Sequence, residues 1–259
     1  MTEDIRPGVS WWLWPNVLAF DAPAVAVIWQ RFLADVFKIT VPVAASIVLG
    51  LVVWAIYLTD RRLDGQRVGI TRPRHAYAAT HSKLFVGLAL VATLLAGSVA
   101  FTLPLAYLHT GGIVASFVAA YLVVVHYMSV SLWGGKEVLV GALFAAGVAI
   151  PLIASDDFDA SWFPAIAGFG LLCCLNCRLI EKWEAGGNPS LRLESAIGSA
   201  IFGCAGFCPR SVAVALGGAT SLLFLLHLVR RTAGIQDPCI LADLALLTPL
   251  SVWAFTADM

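Results

Sequence analysis

Charge is what this sequence has least of. Only 12% of its 259 residues are Asp, Glu, Lys or Arg, about half the share carried by an ordinary soluble domain. Apolar residues make up 60%, and the mean hydropathy is +0.87. So little polar material cannot cover a soluble fold of this size, and so much apolar surface excludes a disordered chain. Neither sign of charge dominates: sixteen basic residues balance sixteen acidic ones. No global charge therefore points to nucleic acid or to an acidic partner. Internal repeats, low-complexity tracts and a separate polar domain are also missing. Glu3 and Asp4 stand where a basic n-region would be, so no cleavable signal peptide is expected.

What the chain has instead is nine mostly apolar stretches near the length of about 20 residues that a helix needs to cross a bilayer. They cover roughly 13–33, 38–59, 84–107, 112–131, 136–153, 162–180, 191–207, 211–230 and 239–256. The expectation is an all-α, polytopic membrane protein, one transmembrane domain over residues 1–259. The first stretch is interrupted by Pro15, Asn16, Asp21 and Pro23, and Trp11, Trp12 and Trp14 suit anchoring at the headgroup level. With the N-terminus placed in the cytoplasm, thirteen of the sixteen basic residues fall on that side; only Arg31, Lys38 and Arg210 face outward. This positive-inside bias predicts a cytoplasmic N-terminus and an external C-terminus. The long loops, 60–83 and 181–190, share the cytoplasmic side, whereas outer connections such as His109-Thr110-Gly111-Gly112 are short. Longer loops tend to carry function, which directs attention to the ends of the second and sixth stretches.

Tyr57-Leu58-Thr59-Asp60-Arg61-Arg62-Leu63-Asp64 closes the second stretch. Asp60 and Asp64 lie one helical turn apart on one face, a spacing that lets two carboxylates share a hard divalent cation. A helix end decorated with solvated charges is the competing reading. The sixth stretch ends in Asn176-Cys177-Arg178-Leu179-Ile180-Glu181-Lys182-Trp183-Glu184. Here Asn176, Ile180 and Glu184 line one face, with Glu181 adjacent. Thr71-Arg72-Pro73-Arg74 and Lys136 add guanidinium and ammonium groups of the kind a diphosphate requires. Arg61, Arg62 and Arg67 also suit anchoring to anionic lipid.

Six cysteines include a Cys174-x-x-Cys177 pair, but in apolar helical sequence they read as helix contacts rather than a metal knuckle. Asp21, His126, His227 and Asp243 fall inside apolar stretches, where ionisable groups mark functional sites or interhelical hydrogen bonds. Asn16 is a candidate partner for Asp21, and Asp237 lies within two turns of Asp243.

Together these residues resemble the UbiA superfamily of intramembrane prenyltransferases, which has nine helices and two Asp-rich motifs on the cytoplasmic side. Asp60, Arg61 and Asp64 match the first motif, while Ile56 and Tyr57 stand where its Asn and first Asp belong. Arg72-Pro73 resembles the family's Arg-Pro pair, and the stretch from Lys136 to Gly141 is similar to the opening of its fifth helix. Asn176, Glu181 and Glu184 fall near the acidic positions of the second motif. The resemblance implies a nine-helix bundle around a central cavity in a bacterial inner membrane. Its implied activity is transfer of an isoprenyl group from a prenyl diphosphate to a lipid-soluble acceptor. Mg2+ would be held by Asp60, Asp64, Glu181 and Glu184 with Asn176, and diphosphate by Arg61, Arg72 and Lys136; Asp60, Asp64 and Lys136 would be catalytic. Two alternatives are a prenyl-diphosphate cyclase on the same scaffold and a lipid-binding or transporter-like relative without catalysis.

Overall fold

An apolar run placed among lipid tails has no water to satisfy its peptide groups, so each must be paired within the chain, and helix does this locally. The computed structural model describes residues 14–65, 73–126, 135–155, 159–184, 191–230 and 238–257. Of these, 87% are helical and none lies in a strand. In chain order the helices are α1 (Trp14–Val17), α2 (Asp21–Val36), α3 (Val43–Gly65), α4 (Pro73–Thr80), α5 (Ser82–Ala100) and α6 (Leu105–His126). They continue with α7 (Lys136–Ile153), α8 (Phe163–Glu184), α9 (Arg192–Ala205), α10 (Arg210–Val229), α11 (Pro238–Ala245) and α12 (Thr248–Ala257).

Among the described residues six helices, α3, α5, α6, α7, α8 and α10, are long and apolar enough to cross a membrane. The pair α11 and α12, bent by 43°, makes a seventh if it acts as one span. This is compatible with an integral membrane protein, and the described residues account for six or seven of the nine expected spans. The first and seventh apolar stretches hold helices of only 16 and 14 residues. Ala19 adopts a left-handed conformation (φ 58°), which turns the chain and delays α2 until Asp21. α9 begins at Arg192 and gives way at Gly206. A second difference concerns His109-Thr110-Gly111-Gly112, which lies inside α6 rather than in a loop. The connection falls earlier, at Phe101–Pro104. Pro104 suits a helix start because it has no N–H to lose, and its carbonyl accepts from the amides of Tyr107 and Leu108.

The main core joins α2, α3 and α7 to α12. At its centre Trp29 stacks on Phe169 with ring centroids 4.6 Å apart. The Trp29 indole N–H donates to the carbonyl of Leu246, 2.8 Å away, at the break between α11 and α12. A bend frees carbonyls from the helical ladder, and this buried indole satisfies one of them. By contrast, only 17% of the apolar window of α5 and 6% of that of α6 are buried. Their outward surfaces are apolar, as lipid-facing helices require.

The crossing of α7 and α8 fixes the geometry of the candidate site. A Cβ built on Gly141 would run into the carbonyl oxygen of Gly170 and lie 3.2 Å from the Cys174 Cβ. Only a residue without a side chain permits this approach, a device common between membrane helices. Glu137 sits one turn before Gly141, and Arg178 one turn after Cys174. Tight contact at the glycines therefore lays the start of α7 against the end of α8.

Candidate functional site at the ends of α3, α7 and α8

Asp60 and Asp64 stand on the last two turns of α3, both half-buried. The hydroxyl of Tyr121, on α6, lies within electrostatic reach of Asp60, Asp64, Glu137 and Cys177. These groups belong to the end of α3, the start of α7 and the end of α8, the candidate mouth. Glu181 lies near Glu137, Lys136 and Arg178. Neighbouring carboxylates repel, and the cationic Lys136 and Arg178 beside them offset that repulsion.

A second row of charge braces this mouth. Arg178 reaches Glu137 through Nη1 at 3.6 Å and donates through Nε to Glu194 Oε1 at 2.9 Å. The other oxygen of Glu194 accepts from Lys182 Nζ at 2.6 Å. Glu194 is fully buried on α9, and a buried carboxylate needs both partners to offset its lost hydration. The network ties α7, α8 and α9 together.

Not every residue singled out by sequence reaches the mouth. Arg61 turns into the bundle, where its Nη2 lies 3.5 Å from Asp21 Oδ2. Asn16 donates to that same oxygen at 2.6 Å, as its nearness in sequence suggested. Asn176 is buried and donates through Nδ2 to Asp243 Oδ1 at 3.0 Å, so it faces α11 rather than Glu181. Asp237, the neighbour considered for Asp243, lies outside the described residues. Glu184 is also directed towards α11, with the Cys239 thiol 3.8 Å from its Oε1. Lys136 opens α7, half-buried. Arg72 lies outside the described residues, as do Arg67, Trp11 and Trp12. Among the described residues, no three His, Cys, Asp or Glu side chains gather as a metal-ligand set.

Behind the mouth, between α2 and α11, a cavity of about 300 Å³ is lined by Asn16, Phe20, Asp21, Asp243 and Leu247, among others. Tyr57 senses both Asp21 and Asp243, together with Cys173 and Cys177. Glu137, Arg178, Glu194 and Tyr121 were not picked out as site residues from the sequence. Glu137 and Glu194 carried a usable signal, since each is an acid at the start of a mostly apolar run. Tyr121 carried none.

Compared with protein-family models, curated proteins and solved structures, the chain finds no match.

Proposed function

We propose that this protein is an intramembrane prenyltransferase. It would move an isoprenyl group from a prenyl diphosphate to a lipid-soluble acceptor with the help of Mg2+, on a UbiA-like bundle in a bacterial inner membrane with its N-terminus in the cytoplasm. The observation that carries the reading is that the Tyr121 hydroxyl lies within electrostatic reach of Asp60, Asp64, Glu137 and Cys177. On this reading acids from distant parts of the chain would share one mouth with the ammonium group that Lys136 contributes at the start of α7.

The donor set suits Mg2+, which takes one or two carboxylates and fills its shell with phosphate oxygens and water. Asp60 and Asp64 would be the pair, and Glu181 the acid on the opposite helix. A bound Mg2+ would supply charge neutralisation of the departing diphosphate. Lys136 would hold the leaving group's oxygens, a positioned cation of the kind that contributes most where charge develops. The apolar interior excludes water from the allylic fragment as its C–O bond breaks, and the cavity beside Asp21 and Asp243 offers the acceptor polar contacts for a hydroxyl. Arg61 is better assigned to bracing α2 through Asp21 than to diphosphate.

A second reading is favoured by one specific substitution. Tyr57 stands where the family has its first acidic ligand, and it packs towards Cys173 and Cys177. That supports a relative that binds prenyl lipids without transferring them. Titration of a radiolabelled prenyl diphosphate with and without Mg2+ separates the two. Transfer predicts metal-dependent binding that Asp60→Asn and Asp64→Asn abolish, and a turnover loss of about 10²-fold in Lys136→Ala. Binding indifferent to Mg2+ and to all three substitutions leaves only the lipid-binding relative.

A further inference from the structure

The cavity between α2 and α11 has a volume of about 300 Å³, within the range of small-molecule sites. The polar side chains in its wall are Asn16, Asp21 and Asp243, set among apolar groups such as Phe20, Val25 and Leu247. Asn16 is only 7% exposed, and the surface it keeps is turned to this space. Chemistry orients its amide: Nδ2 donates to Asp21 Oδ2 at 2.6 Å, and a carboxylate can only accept. The amide oxygen is left over, and among the described residues it accepts no hydrogen bond. A buried acceptor without a donor costs free energy that a bound donor recovers.

The turn that carries Asn16 is fixed before any ligand arrives. The backbone carbonyl of Asn16 accepts from the Ala19 amide at 3.0 Å, and that of Pro15 from the Phe20 amide at 2.8 Å. Trp54 of α3 donates its indole N–H to the Leu18 carbonyl at 2.8 Å, and its ring stacks on Phe20 with centroids 4.9 Å apart. A pocket preorganised in this way loses little binding energy to ordering. The two carboxylates decide which ligands can enter. Arg61 braces Asp21 at 3.5 Å and Asn176 donates to Asp243 at 3.0 Å, so each is held in place. A ligand carboxylate would meet two like charges here, whereas a neutral O–H supplies the donor that Asn16 lacks.

We infer that this cavity seats a neutral alcohol or phenol, its O–H donated to Asn16 Oδ1, and turns away carboxylic acids. Such a compound would be the acceptor of the proposed prenyl transfer, the reading on which this role rests; binding itself needs no transfer.

Binding of naphthol, naphthalene and naphthoate to the full chain in detergent micelles tests this. Each affinity is measured against protein-free micelles and without prenyl diphosphate, so the outcome is separate from whether transfer occurs. One hydrogen bond to Asn16 corresponds to about fivefold tighter binding of naphthol than of naphthalene. Like charge corresponds to about tenfold weaker binding of naphthoate than of naphthol. Asn16→Leu is expected to remove the margin of naphthol over naphthalene. Ala24→Trp fills the cavity from α2 and is expected to weaken both. The ranking of the three by the wild type needs no substitution, so it does not depend on either variant folding. Naphthoate binding as tightly as naphthol overturns the inference, as does a naphthol margin that survives Asn16→Leu. So does an Ala24→Trp protein that binds both neutral compounds as the wild type does.

Discussion

Replacing Glu194 with alanine tests the charge network most severely. The carboxylate is fully buried and accepts two charged hydrogen bonds, from Arg178 at 2.9 Å and from Lys182 at 2.6 Å. Breaking a buried ion pair by removing one partner costs about 3–5 kcal/mol, because the remaining charge is stranded. Two features lower that figure here. The Lys182 side chain is 18% exposed and can turn to water, while Arg178 keeps Glu137 at 3.6 Å. The expected loss for Glu194→Ala is therefore at the lower limit, about 3 kcal/mol. Glu194→Gln keeps an acceptor oxygen and should lose about half as much, near 1.5 kcal/mol. Reversible unfolding in mixed micelles reads both values against the wild type. A triple replacement, Arg178→Met with Lys182→Met and Glu194→Leu, removes all three charges together and should recover most of the stability, since apolar substitutes for a buried ionic cluster are often neutral. If Glu194→Ala unfolds within 0.5 kcal/mol of the wild type, roughly the noise of surface substitutions, the network contributes nothing and the reasoning fails.

Three further outcomes follow from the packing. Gly141→Ala forces a Cβ into the Gly170 carbonyl and should destabilise by about 1–3 kcal/mol; Gly112→Ala, with nothing within 4 Å of the new Cβ, should be neutral or gain up to about 1 kcal/mol. Paired thermal unfolding curves compare them. Trp29→Phe leaves the buried carbonyl of Leu246 without its indole donor and should cost about 1–3 kcal/mol in the same assay. Burial, with a smaller contribution from Cys204, pushes the Cys208 thiol up to about 11. Since only the thiolate reacts, maleimide labelling of Cys208 should keep rising about tenfold per pH unit from pH 7 to pH 10. A plateau near pH 8.5 would contradict this.

The helical nature of the chain was legible because apolar runs leave the backbone one economical way to pair itself. Length was less so. The first stretch read as a span on hydropathy, but the left-handed turn at Ala19 depends on local backbone geometry that hydropathy does not register. At His109 to Gly112 a polar, glycine-containing tetrapeptide looked like a connection, yet Pro104 had already started the helix that runs through it. Of the candidate site, the i,i+4 pair Asp60 and Asp64 was visible because helical spacing alone puts both on one face. The pairing of Asn16 with Asp21 was visible because the two are five residues apart. Asn176 and Asp243 are 67 residues apart, and no pattern in the chain announces that they meet. Glu137 looked like the neighbour of a more interesting lysine. Its importance depends on how closely α7 approaches α8, which two glycines decide.

The Trp29–Leu246 hydrogen bond joins residues 217 positions apart. The acceptor is made long after the donor, so through most of synthesis the Trp29 indole lacks the partner it has in the finished fold. A product halted short of residue 246 lacks that carbonyl altogether. One bond thus ties the earliest long helix to the last part of the chain.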